Sequence, residues 1–455
     1  MTITVAAPVT ERIASFVVDH DLRNAPAELF KRATRAVIDT VGVAIAGRRE
    51  PSFTILARTV GESDSGVATV LPTRQRSSAT QAALLNGTAG HALDFDDVSD
   101  TMKGHPSVVL VSTLLALAES EASSGRDLLE AYIVGFEVAC AIARGLPVDP
   151  HYSAGWHATA TVGILGATAG ACRLVNLDTF ITRNALGIAA SMAGGSRQNF
   201  GTMTKPLHAG LVARDAVLAA QLAANGFTAD EHQLEGPLGY FALYGVNPDL
   251  TAVMDSLKAP PVLLDQGLDV KKYPCCYMTH RMADAALTLH SRGIDVDEVR
   301  AVKVNMEPGG LEPIMHHRPQ TGLQGKFSGE YVVAAGLLDG AVGLTTFTDA
   351  AVARPDAQDL LQRVTITESV VPPFGDSHFE HAYATLQLEL TDGTELRQRC
   401  DIPRGDARAP LTDHEPEAKF RDCLAFAASE WNTDALLQAL RRLPSPTDRV
   451  ADLLR

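Results

Sequence analysis

The stretch 86–108, NGTAGHALDFDDVSDTMKGHPSV, gathers two histidines, His91 and His105, and four carboxylates, Asp94, Asp96, Asp97 and Asp100. Imidazole takes up and returns a proton near neutral pH, so a histidine beside carboxylates is a candidate general acid and base. Asp94 and Asp97 are three residues apart, and on a helical turn they would share a face with His91. Pro106 suits the first position of a helix, which puts His105 at its entry. Apolar, alanine-rich segments flank the stretch. Ionisable groups beside a core are costly unless paired, and either a reactive site or a capped helix end with solvated aspartates accounts for them. On this reading Asp94 and His105 carry the interest, and Asp96, Asp97 and Asp100 are capping or surface charge.

Three further clusters offer matching chemistry. In GWHA, 155–158, His157 stands at a helix entry. In TKPLH, 204–208, Pro206 starts a helix directly after the glycine-rich loop 194–204, with Lys205 at its cap and His208 in its first turn. A helix N-terminus favours anions, and a lysine there adds to that. The third cluster is KKYPCCYMTHR, 271–281. If the fold gathers His105, His157, Lys205, His208 and Lys271, they form a cationic pocket for a small polycarboxylate. Such a pocket also stabilises the negative charge that develops when a proton leaves the carbon α to a carboxylate.

Other chemistries lack their signatures. No phosphate-binding P-loop, dinucleotide fingerprint, nucleophile elbow or HExxH motif occurs. His316–His317 and the pair His378 and His381 have no third ligand at a convincing spacing, so no metal is expected. The six cysteines are scattered without a CxxC pair, which fits free thiols in a reducing, cytoplasmic compartment. The formal net charge of −15 disfavours nucleic acid and anionic membrane surfaces as partners. The amino-terminal residues lack a basic region followed by a long apolar one, so no signal peptide is expected. No apolar run is long enough to span a bilayer.

The elements that must position these residues are mostly helical. A chain of 455 residues exceeds what one core usually serves. Hydrophobic residues make up 46% but aromatics only 5%, so the core must be built of small aliphatic side chains and closely packed helices. Helical spacing and caps predict helices over 10–20, 25–46, 53–61, 79–91, 106–121, 126–144, 155–175, 179–193, 206–225 and 249–257. Residues 66–71 read as an isolated strand. The pattern then changes. Strands are predicted over 299–306 and 364–368, a hairpin over 384–399 turning at Asp392–Gly393, and a helix over 329–338. Helices return over 415–429 and 433–443. The expected organisation is a mainly α protein: a helical part over 1–268, an α+β part over 269–409 and C-terminal helices over 410–455.

HALDFDD followed by GHPS, then GWHAT, FGTMTKPLHAG, KKYPCC with THR, and KFSGEYVVAAGLLDG over 326–340 together resemble the MmgE/PrpD family. That family includes 2-methylcitrate dehydratases, cis-aconitate decarboxylases and iminodisuccinate epimerases. The resemblance implies a large helical domain completed by the C-terminal helices and a smaller α+β lid, a homodimer, and an active site between the domains that needs no cofactor. It implies an active-site set of Asp94, His105, His157, Lys205, Lys271 and Tyr331. His105 would act as acid and base, Lys205, Lys271 and His157 would hold substrate carboxylates, and Asp94 would orient or protonate a neighbour. Tyr331 would donate from the lid. The sequence departs from the decarboxylase pattern at Cys276 and Val98, and by one extra residue between Asp94 and His105. The expected activity is therefore a hydro-lyase on a small di- or tricarboxylate. Epimerisation of an amino- or iminodicarboxylate, decarboxylation and a non-catalytic scaffold are the alternatives.

Overall fold

A computed structural model describes residues 8–61, 66–412 and 414–454. The amino-terminal segment read for a leader begins outside the described residues. Among those described, no helix is long and apolar enough to cross a membrane.

The architecture is mainly α with a smaller α+β part. Side chains from both chain ends share one core: Val9, Val41, Leu114 and Phe136 pack in the same cluster as Phe420, Leu437 and Leu453. The C-terminal helices Glu415–Phe426 and Thr433–Arg441 are tied to it by polar contacts as well. Trp431 Nε1 donates to the Leu71 carbonyl at 2.9 Å, and Lys419 pairs with buried Asp39 at 2.8 Å while donating to the Phe95 carbonyl. Two unpaired charges at such depth would be expensive; paired, they fix where the tail docks.

Small residues set a close helix crossing beside the site. The helix Ala79–Ala92 runs antiparallel to Thr204–Ala224, and at their crossing Gly87 faces Gly210. A Cβ on Gly210 would lie 2.4 Å from the Leu84 carbonyl oxygen and 2.1 Å from Thr88 Oγ1. Hydrogen at both positions lets the backbones touch. That contact brings the end of the first helix, with His91, against the start of the second, with Lys205 and His208.

A separate core belongs to the α+β part, where Tyr273, Met282, Val302, Tyr331, Leu361 and Leu386 pack together. Its sheet runs Val364–Glu368, Val299–Met306, Ala384–Leu390, Glu395–Cys400. The first pair is parallel and the others antiparallel, with Val304 opposite both Ile366 and Leu386. A parallel pair needs a long crossover, and the helix Gly329–Asp339 lies within it. Lys326, at the start of that crossover, donates to the carbonyls of Leu93 and Pro274 at 2.9 and 3.0 Å, so it ties the lid to the end of the helix Ala79–Ala92.

Several elements differ from expectation. The predicted helix 155–175 is broken: helix begins only at Ala158, kinks at Val162 and resumes as Gly163–Leu174. The strand at 66–71 shrinks to Ala68–Thr69, paired with Arg76–Ser77. The helix His280–His290 was not anticipated, because its polar Arg281, Asp284 and Thr288 interrupt a clear apolar period.

Candidate active site

The helix Ala79–Ala92 ends before the carboxylates, so Asp94, Asp96 and Asp97 lie on a loop and do not share the helical face with His91. Asp94 adopts a left-handed backbone conformation, φ 51°, which aspartate tolerates better than most residues. The turn sends consecutive carboxylates in different directions.

Asp94 points towards two ammonium groups. Lys205 pairs with its Oδ1, and Lys271 donates to its Oδ2 and to the Asp94 backbone carbonyl, each at 2.9 Å. All three side chains are buried. Burial by itself would raise the Asp94 pKa, but Lys205 and Lys271 outweigh it and hold the carboxyl well below its ordinary value. Burial lowers Lys271, and Asp94 with Asp96 outweighs that too, leaving it raised. Asp94 therefore stays ionised and orients the lysines; it is unsuited to donate a proton at neutral pH.

His105 is the N-cap of the helix Pro106–Ser120, with Pro106 in its first turn. Its Nε2 lies 3.9 Å from Asp94 Oδ1, and its Nδ1 lies 3.2 Å from Asp96 Oδ2. His91 Nδ1 reaches the same Asp96 oxygen at 2.8 Å. The sequence reading of Asp96 as capping or surface charge is thus wrong, since its side chain is fully buried between two imidazoles. Asp97 is buried as well and faces away, accepting from the backbone and hydroxyl of Ser107. Asp100 alone fits the surface assignment, paired with Lys103 on the exterior.

The remaining histidines close the arrangement. His157 caps the short helix Ala158–Thr161, and its Nδ1 lies 3.1 Å from His208 Nδ1. Its ring stacks on His91 with centroids 5.7 Å apart. Burial lowers the pKa of His91, to about 3, and those of His105, His157 and His208 as well. Neutral imidazoles beside permanent ammonium groups give a site with bases available and fixed positive charge nearby.

A cleft of about 490 Å³ opens in front of this cluster; His208, placed behind His157, does not line it, and neither do His91 and Asp96. His105, His157, Lys205, Lys271 and Asp94 all face it, and the lid contributes Cys276, Tyr277, Phe327 and Glu307. Val98 and Cys276, the two departures from the decarboxylase pattern, both line it. Lys205 sits inside the first helical turn, two residues further in than expected, because the helix starts at Thr204 with Met203 as its cap.

Tyr331 is not brought to the cleft. Its hydroxyl donates to the Thr346 carbonyl at 2.6 Å inside the lid core, against Phe347. The apolar run around it and its place in a helix facing the sheet decide that orientation. The lid phenol that does line the cleft is Tyr277.

Among the described residues, His91, Asp94, Asp96 and His105 hold ligand atoms within 4.8 Å of one another, a compact donor set. Both oxygens of Asp94 already face lysine ammonium groups, whose charge opposes a further cation.

Two sequence matches agree with this geometry. Residues 11–252 match the MmgE/PrpD N-terminal domain and residues 273–442 the MmgE/PrpD C-terminal domain. The chain belongs to the MmgE/PrpD family and is an enzyme of that family's lyase type. It is similar to human cis-aconitate decarboxylase, with 29% identity covering 97% of this chain and 92% of the relative. The mouse cis-aconitate decarboxylase is 28% identical with 97% and 91% covered, and that of Aspergillus terreus 25% identical with 98% and 94% covered.

Proposed function

We propose that this protein is a cofactor-independent lyase that acts on a small di- or tricarboxylate by removing a proton from the carbon α to a carboxylate. The observation that carries the reading is the convergence of His105 with Lys205 and Lys271 around Asp94. The two lysines would hold a substrate carboxylate and stabilise the enolate-like charge, and neutral His105 would take the proton. His157, backed by His208, would complete the carboxylate pocket. In the hydro-lyase form of the reaction, the carbanion electrons expel a β-hydroxyl, which leaves as water after protonation. Tyr277, on the cleft wall with its hydroxyl donating to Asp406 at 3.2 Å, would turn that hydroxyl to protonate it.

Decarboxylation is the second reading, favoured by the similarity to proteins named cis-aconitate decarboxylase. There the same pocket would stabilise the carbanion left by carbon dioxide, and a proton taken up from solvent would be delivered to carbon through His105. Epimerisation of an amino- or iminodicarboxylate would use the same first step and reprotonate the opposite face.

The test is a panel of citrate, 2-methylcitrate, cis-aconitate, malate and iminodisuccinate incubated with the enzyme in heavy water and read by mass spectrometry. Loss of water, loss of carbon dioxide and deuterium uptake alone separate the three reactions. Failure to turn over or bind any of these acids would overturn the reading.

A further inference from the structure

Behind His105, away from the cleft, lie two fully buried side chains that the reaction as described leaves unused. Asp96 and His91 are 0% and 1% exposed and do not line the cavity. Two imidazole Nδ1 atoms converge on one oxygen of Asp96, His91 at 2.8 Å and His105 at 3.2 Å. The two rings meet edge to face, centroids 4.5 Å apart and planes at 71°; the His91 nitrogen hydrogen-bonds the Asp96 oxygen and the His105 nitrogen lies beside it.

We propose that Asp96, itself held by His91, is the positioning residue that fixes His105 as its Nδ1–H tautomer and so leaves the Nε2 lone pair for the substrate proton. An ionised carboxylate only accepts hydrogen bonds, so any ring nitrogen that faces it must carry the hydrogen. Neutral imidazole has one N–H; if Nδ1 carries it, Nε2 is the base. Nε2 is the nitrogen on the side of Asp94 and its lysines, where the carboxylate would bind. Once His105 is protonated, Asp96 lies beside the new imidazolium and stabilises it. His91 and His105 outweigh burial and hold the Asp96 carboxyl well below its ordinary value.

The cost of the arrangement supports a role beyond packing. Asp96 Oδ1, His91 Nε2 and His105 Nδ1 are buried without an aligned hydrogen-bond partner among the described residues; His105 Nδ1 lies at contact distance from Asp96 Oδ2, and a small rotation of its ring would close the bond. A buried unpaired polar atom is destabilising, and an apolar pair of similar volume would avoid it.

The inference rests on His105 as the base, and its test separates the two. In ligand-free protein carrying ¹⁵N-histidine, long-range ¹H–¹⁵N correlations should assign His105 to the Nδ1–H tautomer. An Nε2–H tautomer in the wild-type protein overturns the proposal whatever the reaction is. In Asp96→Asn, the amide can donate to Nδ1 and favours the opposite tautomer. We expect kcat to fall at least 100-fold, KM to stay within threefold, and the His105 signal to switch to Nε2–H. His91→Gln, which retains a donor towards Asp96, should keep the tautomer and lose less than tenfold in kcat. If His105→Ala is inactive while Asp96→Asn keeps kcat within threefold, Asp96 does not position the base. If His105→Ala keeps full activity, the functional reading itself fails.

Discussion

Lys271 donates to both the carboxylate and the backbone carbonyl of Asp94, at 2.9 Å each, although 177 residues separate the two. The contact joins the loop after the helix Ala79–Ala92 to the segment that leads into the lid. Lys205 reaches the other carboxylate oxygen, so one buried anion holds two cations at the cleft wall.

Removing that anion should therefore cost both stability and activity. Breaking a buried ion pair from one side typically costs about 3–5 kcal/mol, because the partner charge is left uncompensated. Asp94→Asn keeps the shape and leaves two ammonium groups in repulsion. We expect a loss of about 3 kcal/mol or more by urea unfolding, with turnover reduced to background. A variant as stable as wild type would show that the lysines do not depend on Asp94.

Loss of the base should act on the chemical step. A positioned acid or base contributes about 10²–10⁴-fold to rate. His105→Ala is expected to lower kcat by that factor with the fold intact by circular dichroism. A change confined to KM would assign His105 to binding.

The buried carboxyl of Asp97 makes a pH prediction. Burial is the main cause that pushes its pKa up, to about 8, with nearby Asp39 and Asp96 adding to it and Ser107 opposing. The unfolded chain releases this proton near its ordinary value of 3.8. Between about pH 4 and 8 the folded state thus binds the extra proton, and the contribution of Asp97 to stability declines as pH rises through that window. His91, lowered to about 3, acts oppositely and adds stability as pH rises towards 6.5. Comparison with Asp97→Asn isolates the first effect. Melting temperatures measured at pH 5.5 and 8 should show the variant gaining on wild type at the higher pH, whereas parallel shifts would remove Asp97 from the account.

Lys326 offers a test of how the lid is held. Burial lowers its pKa to about 8, and its ammonium bridges the carbonyls of Leu93 and Pro274. Lys326→Met leaves two buried acceptors unpaired, at about 1–3 kcal/mol each. Because Leu93 precedes Asp94, the site should loosen as well. Reduced kcat together with a lower urea midpoint is expected; an unchanged kcat would uncouple the bridge from Asp94.

The crossing of the two site-bearing helices can be probed through Gly210. A methyl group there meets backbone at Leu84 and side chain at Thr88, neither of which can yield freely. Overpacking of this kind costs about 1–3 kcal/mol. Gly210→Ala should lower stability by that amount and reduce activity by separating His91 from Lys205. Thermal unfolding and kcat report both.

The sequence by itself determined the local features. Pro106 and the residue before it set the start of a helix with His105 as its cap, because proline fixes its own backbone angle and needs no partner elsewhere. Helical period, β-branched runs and the Asp392–Gly393 turn marked most helices and the four strands of the sheet for the same reason: each depends on neighbours within a few residues. The residue types of the site were legible too, since lysines and histidines at helix starts carry their chemistry in their side chains.

Only the tertiary structure decided which of them meet. Lys205 and Asp94 are 111 residues apart, and their contact exists because Gly87 and Gly210 let two helix backbones touch. Asp96 read as surface charge because nothing local distinguishes it from Asp100; one is buried between His91 and His105 and the other is on the exterior because packing around the loop is one-sided. Tyr331 carried the right chemistry and the wrong direction, since the sheet it packs on, assembled from strands far along the chain, turned its hydroxyl into the lid. Residue type and local conformation are properties of short segments, whereas burial and convergence are properties of the packed whole.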